Sequence, residues 1–70
     1  MGSTISITLN GERHEVIEGT SISDLLPLVG ADRQQVAVVA NTLIVKPEER
    51  ANFILNENDE VDILIFAGGG

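Results

Sequence analysis

The chain has 70 residues, with 4 Lys+Arg against 11 Asp+Glu, a formal net charge of −7 and no cysteine. A hydrophobic content of 43% is too high for intrinsic disorder, and the lack of cysteine excludes disulfide and cysteine–zinc staples. This length makes one small domain, whose thin core must hold the fold alone and leaves little room for a catalytic cleft.

Met1-Gly2-Ser3-Thr4-Ile5-Ser6 formally fits an N-myristoylation pattern. A strand begins at once, however, and no polybasic patch follows to support a lipid anchor, so an ordinary amino terminus is expected. No secretory signal is read at the start, which makes the cytoplasm the expected compartment. Nor does any run approach the roughly 18 apolar residues of a membrane span, so no membrane partner is expected.

Thr4 to Leu9 alternates, with Ile5, Ile7 and Leu9 on one face, which predicts a half-buried strand. Asn10-Gly11 then predicts a tight hairpin, because a type I′ turn needs two positions at positive φ. Glu12 to Glu18 returns as a polar second strand, with Val16 and Ile17 as its apolar content. Ile22, Leu25, Leu26 and Val29 follow at helical spacing and form one apolar stripe. Ser21 and Ser23 compete as its cap. Capping at Ser21 leaves Pro27 inside the helix, and capping at Ser23 brings it nearer the first turn. Gly30 closes the helix.

Val36 to Ala40 is a continuous apolar run rich in β-branched residues, which predicts a strand buried on both faces. Asn41-Thr42 turns the chain into a short strand, Leu43 to Lys46, which Pro47 stops. Glu48-Glu49-Arg50 suits a single helical turn, with Phe53, Ile54 and Leu55 plugging the core beneath it. After the polar turn Asn56-Glu57-Asn58-Asp59, Glu60 to Phe66 is the final strand. Val61, Ile63 and Ile65 share one face of it, and Leu64 and Phe66 share the other.

Hairpin, helix, hairpin and final strand define an α+β domain. One helix covers one face of a mixed sheet of about five strands, with the last strand central and parallel to the first, as in the β-grasp (ubiquitin-like) fold. The expected core is Ile5, Ile7, Val16, Leu25, Leu26, Val38, Leu55, Ile63 and Ile65. Residues 1–66 form the domain and 67–70 a flexible glycine tail.

The familiar catalytic arrangements find little support. His14 is the sole imidazole and lies on a polar strand, where a surface role is the plain reading. Glu12, Glu15, Glu18, Glu48 and Glu49 lack a cleft that would raise one pKa for acid–base work. The stretch from Asn56 to Asp62 resembles a calcium loop superficially, but Val61 stands at the glycine position and Ala67 at the glutamate position, so no metal site is expected. No phosphate-binding glycine motif is present, so no cofactor is expected. Arg13, Arg33, Lys46 and Arg50 are scattered, and without Trp or Tyr to stack a base they make no nucleic-acid surface.

Phe66-Ala67-Gly68-Gly69-Gly70 carries the functional signal. Three glycines can be a passive linker. Directly after a last strand, they also make a tail narrow enough to thread through a channel in another protein. The α-carboxylate at its end has a reference pKa of about 3.3–3.7 and is a poor electrophile until activated. Leu64 and Phe66, opposite the helix, are the candidate partner-binding surface.

Several segments carry a resemblance beyond the tail. They are the Asn10-Gly11 hairpin, Glu18-Gly19-Thr20 before Leu25-Leu26, Val36-Ala37-Val38 with Asn41 before Ile44-Val45, and Asn58-Asp59-Glu60-Val61 before the glycines. Together they make the chain resemble the ThiS family, sulfur carriers of thiamine thiazole biosynthesis, over almost its whole length. Asn41-Thr42 stands where that family often has Asn-Gly.

The resemblance implies a non-catalytic carrier. A ubiquitin-activating-like (ThiF-like) adenylyltransferase would consume ATP to adenylate Gly70, with Gly68 and Gly69 threading its channel. Sulfur relayed from a cysteine desulfurase would displace AMP to leave a thiocarboxylate, and a ThiG-like thiazole synthase would receive that sulfur. The molybdopterin-synthase small subunit, other sulfur carriers, protein modifiers and plain β-grasp interaction domains are the alternatives.

Overall fold

The structure, a computed structural model, describes residues 2–31 and 35–66. The alternating first segment forms β1 (Thr4–Leu9), which pairs antiparallel with β2 (Glu12–Ile17). Asn10 and Gly11 join them at φ 50° and 85°, the two positive values that a type I′ turn requires.

Helix α1 (Ile22–Leu28) resolves the competition between caps. The Ser21 hydroxyl accepts the Asp24 N–H at 3.1 Å, and the Asp24 carboxylate accepts the Ser21 N–H at 3.3 Å. This reciprocal pair satisfies two N-terminal donors and sets the start of the helix. Pro27 is therefore interior, where it withholds one helical hydrogen bond. The helix ends soon after. Gly30, at φ 74°, donates to the Pro27 carbonyl, and Ala31 donates to that of Leu26 at 2.9 Å. That bonding is a Schellman stop, with Leu26 and Ala31 both buried beside it.

The second hairpin is β3 (Val36–Ala40) and β4 (Leu43–Val45), followed by a 3₁₀ segment (Pro47–Asn52) and β5 (Glu60–Ile65). The sheet order is β2-β1-β5-β3-β4. β5 runs parallel to β1 and antiparallel to β3. These are the α+β class and β-grasp architecture expected from the element order.

Asparagines in both hairpin turns hold β5 from either side. The Asn10 N–H donates to the Val61 carbonyl, and its side-chain oxygen accepts the Ile63 N–H at 2.8 Å. On the other side, the Asn41 N–H donates to the Glu60 carbonyl at 2.7 Å and its Oδ1 accepts the Glu60 N–H at 2.9 Å. Each asparagine thus extends a strand ladder beyond the strand's own end.

The core lies between α1 and one sheet face, around Ile7, Ile22, Leu25, Val38, Leu55 and Val61. Two expectations need correction. Ile65 lies on the core-side face of β5 by alternation but is 51% exposed, as the last residue of that strand, paired with the partly buried first residue of β3, Val36. β3 is covered on one face only: Val38 and Ala40 are buried, whereas Ala37 and Val39 lie on the open face and are only partly buried. A single helix can cover just one side of the sheet. Of the segment expected to plug the core, Leu55 is buried, Phe53 partly so, and Ile54 faces outward.

Candidate functional site

The pleat puts alternate residues of each strand on the uncovered face. On β1 these are Thr4, Ser6 and Thr8, and on β2 Arg13, Glu15 and Ile17, so that half of the face is mainly polar. The other half is apolar. Ala37 pairs with Leu64, and Val39 pairs with Ile44. Leu64 and Phe66 are 54% and 55% exposed. They do not complete the core over a loop, and they sit where the chain leaves the sheet. Asp62, paired with Val39, and Glu60, paired with Thr8, put two carboxylates on the open face of β5 ahead of Leu64.

The chain is held firmly at that exit. The Phe66 N–H donates to the Gln35 carbonyl at 3.0 Å, which continues the β3–β5 ladder one residue beyond Ile65. Arg50 reaches across from the 3₁₀ segment, and its Nη2 donates to the Val36 carbonyl at 2.9 Å. Gly68, Gly69 and Gly70 lie outside the described residues.

The other sequence candidates fall apart spatially. His14 pairs with Ile7 on β2, at the edge of the sheet and far along the sheet order from the apolar half. Asp59 is buried, with one oxygen accepting the Asn56 N–H at 2.8 Å and the other accepting from the Asn41 amide at 3.0 Å. Its carboxylate therefore braces the turn before β5. Glu57 accepts the Ser6 N–H at 3.1 Å and ties that same turn to β1. Among the described residues, no three His, Cys, Asp or Glu side chains are placed to hold a metal ion. No helix among them is long and apolar enough to cross a membrane.

Ala37, Val39, Ile44, Gln35 and Arg50 had no signal of their own in the sequence. A continuous apolar run does not reveal which face is bare, and Arg50 looked like part of an ordinary charged turn.

A five-stranded mixed sheet, one helix on one face and an apolar patch at the exit of the last strand place this protein in the β-grasp, ubiquitin-like class. The sequence model of the ThiS family matches residues 7–70, and the chain belongs to that family. Its fold is similar to the crystal structure of the thiamine biosynthesis protein ThiS from Geobacter metallireducens. The TM-score is 0.79 at 26% identity, covering 94% of this chain and all of that one. Two thiazole synthases are similar in sequence, those of Magnetococcus marinus (35% identical) and Paramagnetospirillum magneticum (32%), each over 94% of this chain. The chain spans about a fifth of the length of either synthase, 20% in each case. An uncharacterized protein, ycf40 of Porphyra purpurea, is 27% identical over the full chain and 99% of its own length.

Proposed function

We propose that this protein is a sulfur carrier for thiamine thiazole synthesis and acts as a substrate of its partner enzymes rather than as a catalyst. The observation that carries this reading is the ThiS family match over residues 7–70, which spans both the β-grasp domain and the glycine tail. The Gly70 carboxylate is the reacting group. A ThiF-like adenylyltransferase joins it to AMP at the expense of ATP. The terminal sulfur of a persulfide from a cysteine desulfurase relay attacks the acyl carbon and displaces AMP. A partner thiol then cleaves the acyl disulfide so formed, leaving the thiocarboxylate on Gly70 and a disulfide on the partner. Since the chain has no cysteine, sulfur cannot ride on a side-chain thiol, and the carboxyl carbon is the available carrier atom.

Gly68 and Gly69 let the tail lie extended, while Leu64 and Phe66 dock the domain so that the tail enters the partner's channel. A ThiG-like thiazole synthase is the proposed acceptor. The likeness to part of two thiazole synthases supports it, because domains joined in one polypeptide commonly act on one another's product. The cytoplasm is the compartment where these partners would be met.

ATP–pyrophosphate exchange with the adenylyltransferase tests the reading. Deleting Gly70 or appending one residue moves the carboxylate by about 3.3–3.6 Å, and misplacement by about 1 Å can cost a hundredfold in rate. Exchange should fall at least that far in both variants at an unchanged melting temperature. Equal exchange from all three chains would show the tail to be passive and would overturn the proposal. Replacing Leu64 with Asp should weaken adenylyltransferase binding without unfolding the domain, since Leu64 is largely exposed.

A further inference from the structure

The outer edge of the sheet carries an apolar surface that shares Ile44 with the open-face patch and continues round β4 to the 3₁₀ segment. β4 ends the strand order, so one of its sides has no strand partner. In a hairpin closed by the two-residue turn Asn41-Thr42, the flanking pair Ala40–Leu43 is hydrogen-bonded. Alternation gives the next such pair to Val38 and Val45 and turns the N–H and C=O of Ile44 outward. Leu43 and Ile44 are also 70% and 75% exposed.

A groove of about 410 Å³ runs between this edge and the 3₁₀ segment. Val45 and Phe53 line it from the core side, and Leu43, Ile44, Glu48, Glu49 and Asn52 complete it. Glu49 is partly committed, its Oε1 accepting the Lys46 N–H at 3.1 Å. Glu48 makes no hydrogen bond or ion pair with the described residues. Apolar lining, an outward-facing peptide group and a carboxylate without a partner therefore meet at one place.

We propose that this groove receives an extended segment of a partner protein that presents an apolar side chain beside a lysine or arginine. The segment adds to the edge through the peptide groups of Ile44, the mode by which open sheet edges bind peptides. Its apolar side chain lies against Val45 and Phe53, and its cation meets Glu48. The net charge of −7 draws a basic segment toward this surface and opposes a second copy of the chain, which would bring two acidic rims together. Natural proteins usually cover or charge such an edge, and within β4 itself Leu43, Ile44 and Val45 carry no charge, Lys46 following at its end. The proposal does not rest on the sulfur-carrier reading, because it invokes neither the glycine tail nor Leu64 and Phe66.

The full ¹⁵N-labelled chain is titrated with the capped peptide Lys-Val-Ile-Val-Lys and with Glu-Val-Ile-Val-Glu. The basic peptide should give saturable amide shifts at Leu43, Ile44, Val45 and Phe53 and slow the exchange of the Ile44 N–H. The acidic peptide should do neither. Glu48→Lys should weaken the basic peptide by about threefold to tenfold, the range expected from losing one exposed charge pair and adding a repulsion. Leu64→Asp should leave its binding unchanged. Four results would each overturn the proposal: no saturable shift, equal binding of both peptides, shifts centred on Leu64 and Phe66, or self-association through β4 in place of peptide binding. Because no adenylyltransferase is present, failure here leaves the tail assay intact.

Discussion

Arg50 takes the place of a longer β4. That strand stops at Val45, opposite Val38, and the carbonyl of Val36 has no strand to bond on that side. The guanidinium fills the gap through Nη2, while its Nε–H is buried without a hydrogen-bond partner. An unmet buried donor costs about 1–3 kcal/mol, comparable with what a charged hydrogen bond contributes. Arg50→Met, which keeps the apolar stem and removes both effects, should therefore leave stability within about 1 kcal/mol of the parent. Arg50→Ala also loses the stem's packing and should cost more. In both variants the Phe66 N–H should exchange faster, because the β3 end that holds it has lost its brace. Unchanged Phe66 exchange would show that Arg50 has no part in anchoring the tail root.

Asn10 has two separable tasks. Asn10→Gly keeps the positive φ of the turn but removes the oxygen that accepts the Ile63 N–H. The cost should be about 1–2 kcal/mol, read from the urea midpoint at constant m-value. A neutral result would reduce Asn10 to a turn residue.

Among the elements, the second hairpin is the strained one. Asn41 and Thr42 occupy φ 51° and 71°, and a β-branched residue at the second position crowds its own backbone. Left-handed geometry costs an L-residue roughly 1–2 kcal/mol, and glycine returns part of that gain through its larger unfolded-state freedom. Thr42→Gly should raise stability by about 1 kcal/mol, or about 4–8 °C in Tm for a domain of this size. A lower Tm would show that Thr42 contributes a compensating contact.

The same elements show how far local pattern reaches. β1 and its Asn-Gly turn were legible because strand alternation and turn chemistry are properties of adjacent residues. The helix was legible as a stripe but not at its start, since Ser21 and Ser23 differ only in which neighbours they can bond. β3 misled because Val-Ala-Val-Val-Ala is equally apolar on both faces, and only the count of covering helices decides which is bare. Leu64 and Phe66 were legible from alternation near the tail. Their companions Ala37, Val39 and Ile44 depend on the β5–β3–β4 register, which is set by distant segments and by no local motif.

At the scale of the whole molecule, the strand order makes β5 the sole link between two hairpins. β1 pairs with β2 and β3 with β4, and neither hairpin pairs with the other directly. An isolated hairpin is marginal in water. A chain ending at Asn58 should therefore show disordered-chain circular dichroism and no cooperative thermal transition. A folded fragment would mean that α1 and the hairpins hold together without their central strand.

That connectivity also sets the order of events when the protein is made. The strand that completes the core is the last to emerge in chain order, and it closes contacts with the earliest segment, a topology whose folding waits on long loop closure. Until β5 inserts, Gln35 has no Phe66 to bond, and the two sides of the apolar patch are not neighbours. Completion of the fold and formation of the patch thus arrive in one step. Under the proposed docking role, an enzyme that recognised the patch at the root of the tail would, by the same contact, inspect whether the chain has finished folding.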